Sequence, residues 1–172
     1  MNVIFYLLAF VAGMATSLQV AVNSQGRLRL GIQHWPQATL VNFLGGTLVL
    51  IAICAVCRFP LPTFAEMSKA PWWVWTGGVL GILYVSASIL LGPMLGNTLF
   101  LVLVVSGQLI GALLIDHYGI LGSPVKAATP GRLLGVGIVL VGMIVVWTST
   151  TTPASNDKPD PRLLAGRASD GQ

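Results

Sequence analysis

The stretch APWWVWTGGVLGILYVSASILLGPMLGNTLFLVLVVSGQLIGALLI, residues 70–115, contains no Asp, Glu, Lys or Arg. A helix rises about 1.5 Å per residue and needs about 20 mostly apolar residues to cross a bilayer. Residues 70–115 therefore hold two crossings and the turn between them. Gly92-Pro93 and Gly96-Asn97 supply turn chemistry near the middle. The expectation is a pair of spans at about 71–91 and 98–116. Pro71-Trp72-Trp73 opens the pair like an interfacial anchor, and Asp116-His117 closes it.

Charge-free windows elsewhere extend the pattern. Residues 1–26, 30–57 and 133–156 each lack a charged side chain. They predict further spans at about 3–24, 36–57 and 131–149. Pro36 and Pro130 suit first-turn positions, where a missing N–H costs nothing. No Lys or Arg precedes the first span, so it lacks the n-region of a signal peptide and is expected to be retained. After the hydroxyl run Thr148-Ser149-Thr150 come Pro153, Pro159, Pro161 and mixed charge. Residues 1–149 thus read as one membrane domain, and 150–172 as a disordered polar tail.

Composition agrees with this reading. Hydrophobic residues make up 55% of the 172 and charged residues 8%, against roughly a quarter charged in a soluble domain. Mean hydropathy is +0.83. Nine Lys/Arg and five Asp/Glu cannot cover a soluble surface. A soluble globular domain, a disordered chain and a disulfide-stapled secreted domain are excluded. The fold class is all-α, a polytopic integral membrane protein with five transmembrane helices. The +4 net charge is scattered rather than clustered, so no nucleic-acid partner is expected.

Five crossings put the two ends on opposite sides. One side holds Arg58, Lys69, Lys126 and Arg132; the other holds Arg27, Arg29, Lys158, Arg162 and Arg167. The positive-inside rule therefore gives no clear orientation. Two readings stay open. Either the chain inserts both ways, or pairs with an oppositely oriented relative, as inverted repeats do in many transporters. Or its orientation is fixed by something this count misses.

Polar residues within the spans are the candidate site. Thr16, Gln19 and Asn23 share one face of the first span at spacings of three and four. Such a stripe either glues helices, at about 0.6 kcal/mol per contact, or lines a cavity. Tyr84 and Ser88 lie four apart in the third span, and Gln108 lies near mid-depth in the fourth. Asn42 is about one turn into the second. Gln19, Asn23, Tyr84 and Gln108 are the substrate-cavity candidates. Asn42 and Asp116 are placed at a cavity mouth or in a structural role, with a proton relay through Asp116 and His117 as the other reading of Asp116. Gly77/Gly81 and Gly107/Gly111 are expected to pack helices, because glycines four apart allow close backbone approach. Gly92/Gly96 is expected to be loop geometry.

Other chemistry is not signalled. Cys54 and Cys57 sit inside an apolar span and read as small buried residues. The glycine-rich runs lack the strand and Lys-Ser/Thr ending of a phosphate loop. No nucleophile–base set or metal-ligand cluster appears, so neither an enzyme, a metal nor a cofactor is expected.

Three segments together carry a resemblance: Gly13-Met14-Ala15 through Gln19 and Asn23 to Arg27-Leu28-Arg29; Pro71-Trp72-Trp73 with Gly77-Gly78, Gly81 and Tyr84-Val85; and Gly107-Gln108-Leu109 with Leu114-Ile115-Asp116-His117-Tyr118-Gly119. Over residues 3–148 the chain resembles the YdcZ-like family, half-size five-helix bacterial inner-membrane proteins of the drug/metabolite transporter superfamily. The resemblance implies an exporter of small molecules. Larger relatives have ten helices in two inverted halves, and four-helix relatives work as antiparallel dimers. By that analogy the partner is a second copy, or a similar five-helix protein, in opposite orientation. The four-helix multidrug exporters carry a glutamate in their first helix. Here that helix offers Gln19 and Asn23, which puts proton-coupled export of cationic drugs in doubt. The leading expectation is a metabolite-exporting half-unit in the inner membrane, with unknown substrate. A non-transport accessory or assembly subunit is the alternative.

Overall fold

A computed structural model describes residues 2–151. The tail from residue 152 onward, expected to be disordered, lies outside the described residues. Helix α1 spans Val3–Arg29, α2 Trp35–Cys57, the single turn α3 Phe64–Met67, α4 Thr76–Leu95, α5 Asn97–Tyr118 and α6 Pro130–Thr151. A 3-10 turn, Trp72–Trp75, leads into α4, and another, Ile120–Gly122, follows α5. Five helices are long and apolar enough to cross a membrane, and among the described residues there is no strand.

The helix ends differ from expectation in three places, each with a local cause. α1 continues past residue 24 to Arg29. Ser24 donates its hydroxyl to the Val20 carbonyl at 2.7 Å, so this polar residue does not compete with the helix. Two arginines in the last turn complement the negative end of the helix dipole. At 27 residues, α1 is about 40 Å long. It is therefore longer than a hydrocarbon core of about 30 Å, enough to cross with some tilt.

The second difference is the α4–α5 turn. Gly92-Pro93 was expected in the turn but lies within α4. Gly96 alone links the two helices, with φ 80° and ψ 147°. That backbone conformation is open essentially only to glycine. Third, α6 carries on through the hydroxyl run. Thr148, Ser149 and Thr150 each donate to carbonyls three or four residues back in their own helix.

The loop between α2 and α4 is built by α3. Thr63 and Glu66 form a capping box: the Glu66 N–H donates to the Thr63 hydroxyl oxygen, and the Thr63 N–H donates to the Glu66 carboxylate at 2.8 Å. These backbone and side-chain bonds from Thr63 hold the Glu66 carboxyl below its usual range.

The described chain divides within α5 into two compact units, one up to residue 111 and the other from residue 112. In the first, α4 packs against both α1 and α2, which also touch each other. The buried side chains are small or polar to an unusual degree: Ala38, Asn23, Ser24, Thr39, Ser86, Ser88 and Ser106 accompany Val20, Val85, Ile89, Leu99 and Phe100. Leucines, isoleucines and aromatics instead cover the outside. This inverts the pattern of a soluble protein, as a lipid solvent requires.

Close glycine contacts occur at Gly81, one of the expected packing positions, and at Gly92, which was expected in the loop. A Cβ on Gly92 would lie 3.1 Å from Ser24 Oγ and 3.2 Å from Val20 Cγ1. Gly92 therefore sets the α1–α4 approach. Gly81 does the same towards Phe43 of α2, at 3.2 Å. A Cβ on Gly77, Gly107 or Gly111 would meet nothing within 4 Å among the described residues. Gly92→Val is expected to destabilise the protein in detergent by about 1–3 kcal/mol through overpacking. Gly77→Val should cost less than half as much, and thermal unfolding of both variants checks this.

Candidate functional site

The polar face of α1 runs along a crevice between α1 and α2, backed by α4. Towards mid-membrane, Gln19 joins Asn42, Phe43, Gly46, Thr47 and Leu50 of α2 and Val85 of α4 around a cavity of about 340 Å³. One turn nearer the α1 C-terminus, a second cavity of about 190 Å³ is lined by Asn23, Gly26 and Arg27 of α1 and by Ala38, Val41 and Asn42 of α2. Asn42 lines both. Gln19, Asn23 and Asn42 thus form one polar track.

α4 positions this track. The Asn23 amide donates to Ser88 Oγ at 3.3 Å, and Ser88 in turn donates to the Val85 carbonyl at 2.7 Å. Ser88 has no exposed surface. Thr39 of α2 and Ser86 of α4 share a hydroxyl–hydroxyl bond of 3.0 Å. Both bonds join helices, and each replaces water that a membrane interior cannot supply. A third cavity, of about 370 Å³, lies on the other side of α2 against Trp35, Pro36, Leu40, Phe43 and Ile82. Thr39 is its one polar side chain.

The expected site residues separate in space. Gln19, Asn23 and Asn42 come together on the crevice. Tyr84 lies in the same three-helix unit, packed on the cluster of Ala38, Val85 and Ile89 with Ile32 and Phe43. Its hydroxyl is buried and has no hydrogen-bond partner among the described residues. Gln108 does not join them: it is exposed on α5 and lines none of these three cavities.

Two contributors were not anticipated. The Thr39–Ser86 pair gives no sequence signal, because serine and threonine recur throughout the spans. Arg27 does give one: it falls four residues after Asn23 and eight after Gln19, extending the same helical face.

Helix order, polar track and length now frame the comparison with known proteins. The family described as "Putative inner membrane exporter, YdcZ" matches residues 4–145. The chain belongs to the YdcZ family. Among curated relatives, the inner membrane protein YdcZ of Escherichia coli (strain K12) is 31% identical over 110 residues, covering 63% of this chain and 72% of the relative. No solved structure matches the chain. The YdcZ match spans α1 to most of α6, and the protein is a multi-pass inner-membrane protein. The family description is that of a transporter rather than an enzyme.

In the second unit of this YdcZ family member, Asp116 organises the loop between α5 and α6. Its carboxylate lies 3.3 Å from the Arg132 guanidinium, with both side chains more than a third exposed. Its carbonyl accepts the Lys126 N–H at 2.7 Å. His117 Nδ1 accepts the Ala128 N–H at 3.2 Å. Gly119, at φ 62°, starts the return, and a Cβ there would sit 2.7 Å from Val125. These contacts supply a structural use for both Asp116 and His117 at the end of a span.

An unpartnered buried hydroxyl carries a desolvation cost of about 1–3 kcal/mol. Tyr84→Phe is therefore expected to leave the thermal stability of the purified protein unchanged or to raise it. A marked loss of stability would show that the hydroxyl holds the fold through a bond of its own.

Proposed function

We propose that this chain is half of a small-molecule exporter, working as an antiparallel pair with a second copy or a similar five-helix protein. The observation that carries the reading is the track of Gln19, Asn23 and Asn42 along an open crevice. Helix glue alone would consume its polar groups in pairs, as Asn23–Ser88 and Thr39–Ser86 do. Gln19 and Asn42 have no such bond to a neighbouring helix among the described residues and face cavity space. An amide facing lipid is costly, so the crevice calls for a covering surface or for water. A second, inverted unit supplies the first, and a permeating solute uses the second. The near-balanced basic residues on the two sides and the odd number of spans fit such a pair.

Alternating access would then expose the track to each side in turn. The side-chain amides would hold a solute by hydrogen bonds, and no covalent step is involved. Gly92 and Gly81, where backbones approach closely, would be the surfaces on which α4 slides or tilts.

Two measurements test this. Reporters active only in the cytoplasm or only outside it, fused separately after residue 172, should give comparable activity. Activity from one reporter alone rules out an antiparallel homodimer. In proteoliposomes loaded with a metabolite panel, the protein should release at least one solute. Asn42→Leu should slow that release by about tenfold, equivalent to about 1.4 kcal/mol, with folding unchanged. Absence of flux across the panel would favour an accessory or assembly role.

A further inference from the structure

Arg27 stands apart from the other described basic residues. Arg132 is paired with Asp116. Arg29, Arg58, Lys69 and Lys126 are exposed. Arg27 is half-buried and lines the 190 Å³ cavity together with Asn23 and Asn42. Its charge has no carboxylate partner among the described residues. The two acidic residues described, Glu66 and Asp116, are engaged with Thr63 and Arg132.

The guanidinium is held rather than free. Nε donates to the Ile32 carbonyl at 3.4 Å, and Nη2 donates to the Gln33 carbonyl at 2.9 Å. These bonds fix one edge of the planar group against the α1–α2 loop. Nη1 and the second Nη2 hydrogen have no protein acceptor among the described residues. The helix end does not need them: the Gly26, Arg27 and Leu28 carbonyls already accept the N–H groups of Leu30, Ile32 and Gly31. A planar fork fixed on one edge and open on the other is preorganised for a carboxylate or phosphate. Asn42 adds an amide within the same cavity, and Asn23 the second Nδ2 hydrogen that its bond to Ser88 does not use. At about 190 Å³ this cavity is the smallest of the three described, which points to a small ligand.

We propose that Arg27, assisted by Asn23 and Asn42, binds the anionic oxygens of a small organic carboxylate, which is the transported solute. The transport part of this rests on the exporter reading above; the anion site does not. The same oxygens could come from the phosphate of an anionic lipid, because Arg27 is the first charge after the apolar run of α1. The experiment separates these sources.

The full chain, purified in a nonionic detergent, is titrated calorimetrically with lactate and succinate and with their neutral amides, lactamide and succinamide. The expected result is binding of at least one acid and of neither amide. Arg27→Gln should weaken that binding by about tenfold to a hundredfold, the loss of a charge-assisted bond, and Arg27→Lys should weaken it less. Equal binding of acids and amides overturns the proposal, as does no binding of either acid. So does unchanged binding in a folded Arg27→Gln protein. If Arg27→Gln fails to fold, the wild-type preference for acid over amide decides. Co-purification of phosphatidylglycerol with wild type but not with Arg27→Lys, undisplaced by either acid, assigns the site to lipid and overturns the solute reading. Flux in proteoliposomes distinguishes the two conclusions. Arg27-dependent acid binding without flux keeps the anion site and removes the exporter. Flux of neutral or cationic solutes untouched by Arg27→Gln keeps the exporter and removes the carboxylate as its solute.

Discussion

α1 and α4 meet where Gly92 presents no side chain to Val20 and Ser24. In lipid, helices gain little from burying apolar surface, so contact distance decides whether they associate. This approach brings Asn23 within bonding range of Ser88. It also lets α4 reach α2, where Thr39 meets Ser86. The polar track on α1 then has a wall behind it and a second helix beside it. Without that contact the amides of α1 would be isolated groups facing hydrocarbon. The close approach at Gly92 thus sets the wall of the crevice, while the α1–α2 loop carbonyls place Arg27.

The five crossings were legible because charge is so costly in a bilayer that its absence over a span is hard to mistake. The internal arrangement was far less legible. Helices apolar on most faces have little amphipathic contrast, so periodicity does not say which face is inside. Gly77, Gly107 and Gly111 share the spacing of Gly81, yet a Cβ on them would meet nothing within 4 Å among the described residues, because spacing does not say where a partner helix lies. Gly92 looked like turn chemistry because Pro93 follows it. That proline is tolerated in the last turn of α4, and Gly96 alone makes the turn.

The site shows the same division. Gln19 and Asn23 could be grouped because both lie on one helix, where spacing fixes the face. Asn42 joins them through tertiary contact, which no local spacing encodes. Gln108 was attractive as an isolated mid-span amide, but isolation in sequence says nothing about which cavity it reaches. Arg27 was hidden by its position: a basic residue near a span's end reads first as a topology signal. Its carbonyl clamp, seen only in the structure, distinguishes it from Arg29 two residues on.

The one-residue joint at Gly96 bears on how the protein is made. A translocon releasing α4 and α5 separately would have to hold α4 in the bilayer with no intervening loop to anchor on either side. The two helices are expected to enter as a preformed pair. Because residues 70–115 carry no charge, no Lys or Arg within that pair favours one leaflet for its bend. The decision about which way up the newly synthesised chain settles therefore rests with its peripheral segments, and few added or deleted charges there would be needed to reverse it.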